Sequence, residues 1–307
     1  MAGKGPNLIR KYVWLVDTIN RNQKISFDDL NKKWRENEDL SGGTDLPKRT
    51  FENWRKAIEE MFDINIENER CDEYRYYIEN SDDLNNGGLR SWIINTFCVS
   101  NTLLGSQSVK DRILLEYVPS GQAYLQTIIE AMKENRVLNM TYHSFWKDKE
   151  GNYDVHPYCV KLFRQRWYMV AQGTYHDEPR IYALDRIQEL NVKDETFELP
   201  KDWDANEYFD GSYGIITNPH EEKQIVKIKV SASQANYIRS LKIHESQEEV
   251  ECNEEYSIFT FFLRPELDFQ QELLKNGEDV EVIEPQWFRN EIGEKIKRMW
   301  DKYKRKK

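Results

Sequence analysis

Two stretches, Arg166-Trp-Tyr-Met-Val170 and Arg180-Ile-Tyr-Ala-Leu-Asp-Arg-Ile187, set arginines beside aromatic residues in a strand-like pattern. Alternate residues of a strand share a face. Trp167 and Met169 therefore point one way, and Tyr168 and Val170 the other. On the same rule Arg180, Tyr182 and Leu184 share one face, and Ile181, Ala183 and Asp185 share the other. An unpaired guanidinium is costly to bury, so each arginine must face water, a carboxylate or an anionic ligand. An internal pair with Asp185 is the plain structural alternative.

Working outward, Val137–Ser144, Val155–Leu162, Trp167–Gly173 and Arg180–Asp185 read as strands, with turn clusters at Lys147–Asn152, Phe163–Arg166 and Tyr175–Pro179. About five short antiparallel strands without long helices suggest a small barrel. Beyond it, Ile225–Val230, Tyr256–Leu263 with a partner before it, and Val280–Ile283 read as strands. Ser233–Ser240, Pro265–Lys275 and Gln286–Tyr303 read as helices. The order β-α-β-β-α-β plus a terminal helix fits a ferredoxin-like α+β sandwich over 220–307.

Toward the amino terminus, residues 1–80 read as three helices and two short strands. Leu8, Tyr12, Leu15, Val16 and Ile19 recur at helical spacing. Ser26 reads as the N-cap of Phe27–Arg35, with Asp28 and Asp29 in the first turn. Asp39–Asp45 reads as a loop, and Pro47 as the first residue of a helix running to Phe62. On that helix Phe51, Trp54, Ile58 and Met61 fall on one side and face the core. Arg49, Asn53 and Lys56 fall on the other, with Glu60. Arg, Asn and Lys are the side chains that read bases and hold phosphate in a major groove. Arg70 and Arg75, on the following hairpin, reach a neighbouring phosphate as a wing would. Charged outer faces are common on any surface helix, and Glu52 and Glu60 repel phosphate. Asn80–Gly88 is a polar linker, and residues 81–136 form a mostly helical connection.

A formal net charge of −10 over 307 residues gives no global sign of nucleic-acid binding, and a local basic surface is all a site-specific binder needs. The basic tail Lys302–Lys307 is a second candidate contact, or simply a solubilising end. Cys71, Cys98, Cys159 and Cys252 show neither CxxC nor zinc spacing and read as reduced thiols. His143, His156 and His176 form no metal constellation, so neither metal nor cofactor is expected. No triad spacing accompanies Ser144, and an enzyme built on His156 and Asp185 lacks a nucleophile elbow or a phosphate loop. No membrane-length apolar run or signal peptide is present, so a soluble cytoplasmic protein is expected.

The Arg166 and Arg180 stretches, with Tyr142 and His156-Pro-Tyr158, resemble the signature of WYL-domain proteins, named for a Trp-Tyr-Leu tripeptide. Met169 stands at the third motif position, a mild apolar swap. The resemblance implies a multi-domain α+β chain. Its parts are a winged helix-turn-helix (1–80), a helical linker (81–136), a WYL barrel of Sm-like fold (137–200) and a carboxy-terminal extension domain (220–307). The loop 37–46 is longer than a minimal helix-turn-helix has. The resemblance further implies a homodimeric transcriptional regulator that binds double-stranded operator DNA. Lys48, Arg49, Thr50, Asn53, Arg55, Lys56 and Arg75 form the DNA-binding set. A nucleotide, single-stranded nucleic acid or other anionic ligand would lie among Tyr142, His156, Tyr158, Trp167, Tyr168, Arg180, Tyr182 and Arg186. The alternative is an accessory protein that binds single-stranded DNA or RNA through the barrel without promoter control.

Overall fold

The computed structural model describes residues 5–70, 74–79, 88–105, 111–114, 121–145, 148–174 and 178–304. Cys71, His176, most of the 80–88 linker, parts of the Lys147 and Tyr175 turns and the last three residues of the basic tail lie outside these, as do the side chains of Arg70 and Cys98. The chain forms two compact units, Met1–Glu116 and Tyr117–Lys307.

In the first unit α1 (Gly5–Asn22) is followed by β1 (Ile25–Ser26), α2 (Phe27–Glu36), α3 (Glu38–Ser41) and α4 (Lys48–Phe62). Then come β2 (Ile66–Arg70), β3 (Tyr74–Ile78) and α5 (Leu89–Gly105). Tyr12, Leu15, Val16 and Ile19 are all buried, as their spacing requires. The Ser26 hydroxyl accepts a hydrogen bond from the Asp29 amide at 3.1 Å and so caps α2. Two elements escaped the sequence reading. Helix α3 occupies part of the expected loop and stops at Gly42, whose φ of 61° suits a residue without a side chain. Strand β1 makes the sheet three-stranded, in the order β1-β3-β2. Pro47 precedes α4 as its cap rather than opening it.

Edge-on aromatic contacts tie this core together: Trp14 to Trp34, Trp34 to Trp54, Phe27 to Phe51 and Phe51 to Tyr76. Phe51, fully buried, contributes about 2–3 kcal/mol through its area alone. The apolar stripe of α4 ends sooner than the sequence suggests, because Met61 is 53% exposed while Phe62 packs against the core instead.

The second unit opens with α6 (Gln122–Lys133) and continues through β4 (Arg136–Ser144), β5 (Lys149–Phe163), β6 (Arg166–Gly173), β7 (Arg180–Ala183) and β8 (Ile187–Thr196). These strands form one antiparallel sheet in the order β7-β6-β5-β4-β8. The 81–136 stretch is therefore divided rather than being a single connector. Helix α5 places Ile94 in the first core, and α6 buries Ile128 and Ala131 against the sheet. Strand β7 stops at Ala183, and a 3-10 turn at Leu184–Arg186 replaces the expected end of the strand. Strand β5 starts at Lys149, inside the turn expected at 147–152.

The remaining elements are α7 (Ala205–Phe209), β9 (Gln224–Ser231), α8 (Ala232–Ser240), β10 (Glu248–Cys252), β11 (Tyr256–Leu263), α9 (Leu267–Leu274), β12 (Val280–Glu284) and α10 (Gln286–Lys304). From β9 onward the order matches the one read from the sequence, with an antiparallel sheet β10-β11-β9-β12. Its alternate residues Val226, Ile228 and Val230 bury against Phe259, Phe261, Phe269 and Phe288. Lys161 on β5 donates to the Gly214 carbonyl at 2.7 Å, and Arg164 pairs with Glu272, which ties the two sheets of this unit together.

Candidate functional sites

On α4, the buried Phe51, Trp54 and Ile58 fix which side faces outward. Lys48, Arg49, Asn53 and Lys56 are exposed on the outer side, and Thr50 is half-buried. Arg49, Asn53 and Lys56 make no hydrogen bond or ion pair with the described residues. Arg75, on β3, is also exposed. Arg55 behaves differently. Two of its nitrogens donate to the Ile66 carbonyl, Nη1 reaches Glu52 at 3.0 Å, and the guanidinium lies 5.4 Å from the Tyr76 ring. All of this joins α4 to the sheet, so Arg55 is a structural group here and is corrected out of the DNA-facing set.

The residues expected in one barrel pocket are divided between the two faces of the central sheet. The inner face, against α6, carries Leu138, Met140 and Tyr142 from β4, Val155 from β5, Met169 and Ala171 from β6, and Tyr182 from β7. Trp167 packs there too. A bulge between Pro157 and Cys159 adds one residue, Tyr158, and reverses the alternation. Val155 and Val160, five apart, therefore both face inward. His156, Cys159 and Tyr168 are left on the outer face. The resemblance to WYL-domain proteins grouped His156, Tyr158 and Tyr168 with the arginines, whereas the strand alternation already set Tyr168 opposite Trp167. Only Tyr142, Trp167, Tyr182 and Arg180 share the inner face.

Around the 3-10 turn, Arg166 takes the Asp185 carboxylate, Nη2 to Oδ2 at 2.9 Å. The Asp185 side chain is 9% exposed, and its Oδ1 is buried with no hydrogen-bond partner among the described residues. Beside it the Nε of Arg186 is likewise buried and unpartnered. No described carboxylate forms an ion pair with Arg186 or Arg180. The Arg186 guanidinium lies 4.0 Å from the ring of Phe145, itself 63% exposed. The Tyr142 hydroxyl accepts a hydrogen bond from the Ala183 amide at 3.2 Å, and its ring meets Tyr182 edge-on at 5.2 Å. Burial raises the pKa of Tyr142, and the Ala183 hydrogen bond and neighbouring Arg186 only partly offset it. Gly121, with φ +69°, lets α6 approach this turn; a Cβ there would sit 2.5 Å from the Leu184 and Asp185 backbone.

The outer face has the opposite character. His156 stacks on Phe197 at 4.7 Å, and Tyr158 meets Trp203 at 4.9 Å. Burial lowers the His156 pKa and so favours neutral imidazole. Burial pushes the Cys159 thiol up to about 11, which keeps it protonated and unreactive. The half-buried Lys161 lies 3.8 Å from the Phe209 ring. No cluster of three or more metal-ligating side chains occurs among the described residues. No described helix is long and apolar enough to cross a membrane. Sequence reasoning anticipated an internal arginine pair for Asp185 without identifying Arg166 as the partner, and it missed Phe145, Gly121 and Trp203.

Comparison with known proteins identifies two domains: residues 123–192 match the WYL domain and residues 222–300 the WCX domain. No curated protein sequence matches the chain. Among solved structures it is similar to proteasome accessory factor B/C (PafBC) of Arthrobacter aurescens, with 17% identity and a TM-score of 0.36. That match covers 93% of this chain and 46% of the other, so the chain spans under half the length of that protein. It is also similar to a CRISPR Cas-related protein, with 12% identity, a TM-score of 0.41, and coverage of 97% and 83% respectively.

Proposed function

We propose that this chain, whose residues 123–192 match the WYL domain, is a DNA-binding transcriptional regulator whose arginines at the central sheet respond to an anionic ligand. The observation that carries the reading is the outer face of α4, where Arg49, Asn53 and Lys56 lack partners on a helix fixed by Phe51, Trp54 and Ile58. Read as a winged helix, the first unit presents α4 to the major groove and the β2–β3 hairpin to flanking phosphate. Lys48, Thr50 and Arg75 then add backbone contacts, which supply most of the affinity, while Arg49 and Asn53 read bases. A homodimer on a two-fold or repeated operator, in the cytoplasm, goes with this reading.

The ligand site is the inner-face group together with Arg186 of the adjoining 3-10 turn. Arg186 and Arg180 form no ion pair with a carboxylate among the described residues, which leaves them open to an incoming anion. The orphaned Asp185 Oδ1 asks for a hydrogen-bond donor on the same ligand. A nucleotide, whose phosphate suits the arginines and whose base or sugar donates, meets both demands. Tyr142, Trp167 and Tyr182 form the wall behind it; His156, Tyr158 and Tyr168 do not belong to it. Ligand controls DNA binding only if its affinity differs between two arrangements of the protein.

The experiment is capture of genomic fragments by the purified protein, followed by gel shift on the recovered sequence. Arg49→Ala with Lys56→Ala is expected to weaken binding at least tenfold and to flatten the salt dependence. Unchanged affinity would overturn the reading. Phe145, exposed beside Arg186, favours one alternative, stacking of a single-stranded base without promoter control. That alternative predicts no affinity for double-stranded DNA mapping to the first unit.

A further inference from the structure

The outer face of the central sheet carries a cleft that the regulator reading leaves unused. Its volume is about 590 Å³, within the range of small-molecule sites. One wall is aromatic: Tyr158, Trp203 and Tyr208 stand in sequence, with ring centroids 4.9 Å apart at each step and planes inclined by 57° and 44°. No described cation lies over any of these three rings, and the nearby Lys161 is spent on Phe209. The rim is acidic, formed by Glu178, Asp202, Asp204 and Glu207. Asp204 is occupied in capping α7, and Glu178 faces His220, the single base of the lining, at 3.4 Å. Asp202 and Glu207 form no ion pair with the described residues. The Tyr208 hydroxyl is pushed up by burial, then by the negative charges around it, Glu178 and Glu266 among them.

These features select a ligand by chemistry. An anion is repelled by the rim. A neutral apolar molecule gains nothing from carboxylates it must desolvate. A hard metal ion finds carboxylates on the rim but no cluster of three or more ligating side chains among the described residues. A bulky, weakly hydrated cation gains from both walls, since ring faces are negative and carboxylates supply long-range attraction. We propose that this cleft binds a small organic cation with a quaternary or tertiary ammonium head. Its head would rest against Trp203 and Tyr208, with Asp202 and Glu207 supplying the counter-charge. The site lies on the opposite face from the arginine group and stands or falls independently of the regulator reading.

Isothermal titration of the full chain with choline chloride, against 3,3-dimethylbutan-1-ol as its uncharged isostere at equal ionic strength, tests this. Choline is expected to bind with a Kd below about 1 mM, and the isostere at least about tenfold more weakly. Asp202→Asn with Glu207→Gln, both at the rim, should weaken choline at least about fivefold while leaving the fold intact by circular dichroism. Trp203→Leu should weaken it further. Absence of choline binding up to about 10 mM, or isostere binding as tight as choline, overturns the proposal. So does choline binding that neither the rim variant nor Trp203→Leu alters.

Discussion

The two faces of the central sheet carry opposite imbalances. The inner face and its adjoining 3-10 turn hold Arg180 and Arg186, which have no carboxylate partner among the described residues, since the nearby Asp185 is paired with Arg166. The outer face holds Asp202 and Glu207, which have no basic partner among the described residues, and the half-buried Lys161 there donates to the Gly214 carbonyl. A strand's alternation puts neighbours on opposite sides, so a single sheet keeps incompatible charges apart by its own thickness. Charge placement in this unit depends on which partner each ion has been given. Composition along the strand does not decide it.

The largest effect is expected at Gly121. Gly121→Val forces a branched side chain into φ +69° and into the backbone of the turn that bears Asp185 and Arg186. A loss of about 3 kcal/mol is expected, from strain and overpacking together, read as a lowered denaturant midpoint. Next comes Arg166→Met. It strips Asp185 of its counter-charge at a cost of about 2 kcal/mol, less than a fully buried pair because Arg166 is one-third exposed. The freed carboxylate can then neutralise Arg186, so nucleotide affinity should fall although Arg166 is not itself an anion ligand. Adding Asp185→Leu should restore stability; unchanged nucleotide affinity in the single variant would contradict the assigned pairing.

The acid-rich side sharpens the comparison through pH. The Glu266 carboxyl is pushed up to about 7, chiefly by burial and then by Asp268, against the hydrogen bond from the Asn218 amide. The folded chain therefore holds this proton more tightly than the unfolded chain does. Stability should fall as pH rises from the ordinary glutamate range to about 7, and level off above it. Glu266→Gln should remove that slope and raise the melting temperature at pH 8 by a few degrees, with little change at pH 4. The smallest effect is expected from Arg180→Gln. Without an ion pair to lose, stability should stay within about 0.5 kcal/mol while nucleotide binding weakens. A large destabilisation there would reveal a hidden carboxylate partner.

Periodicity alone determined much of this protein: the buried stripe of α4 up to Ile58, the capped start of α2, and the element order from β9 to α10. It also separated Trp167 and Met169 from Tyr168, because side-chain direction in a regular element is a local property. What only the tertiary structure decided is everything resting on closure between distant residues. The bulge at Tyr158 leaves no mark in composition, yet it lets Val155 and Val160, five apart, share the inner face. Arg55 looks like a DNA contact until the Ile66 carbonyl is seen within its reach. Asp185 sits next to Arg186 in the chain but pairs with Arg166, because the 3-10 turn ends the strand and turns the carboxylate toward β6. Local periods fix faces; partners are fixed by which backbone segments the fold brings within a few ångströms.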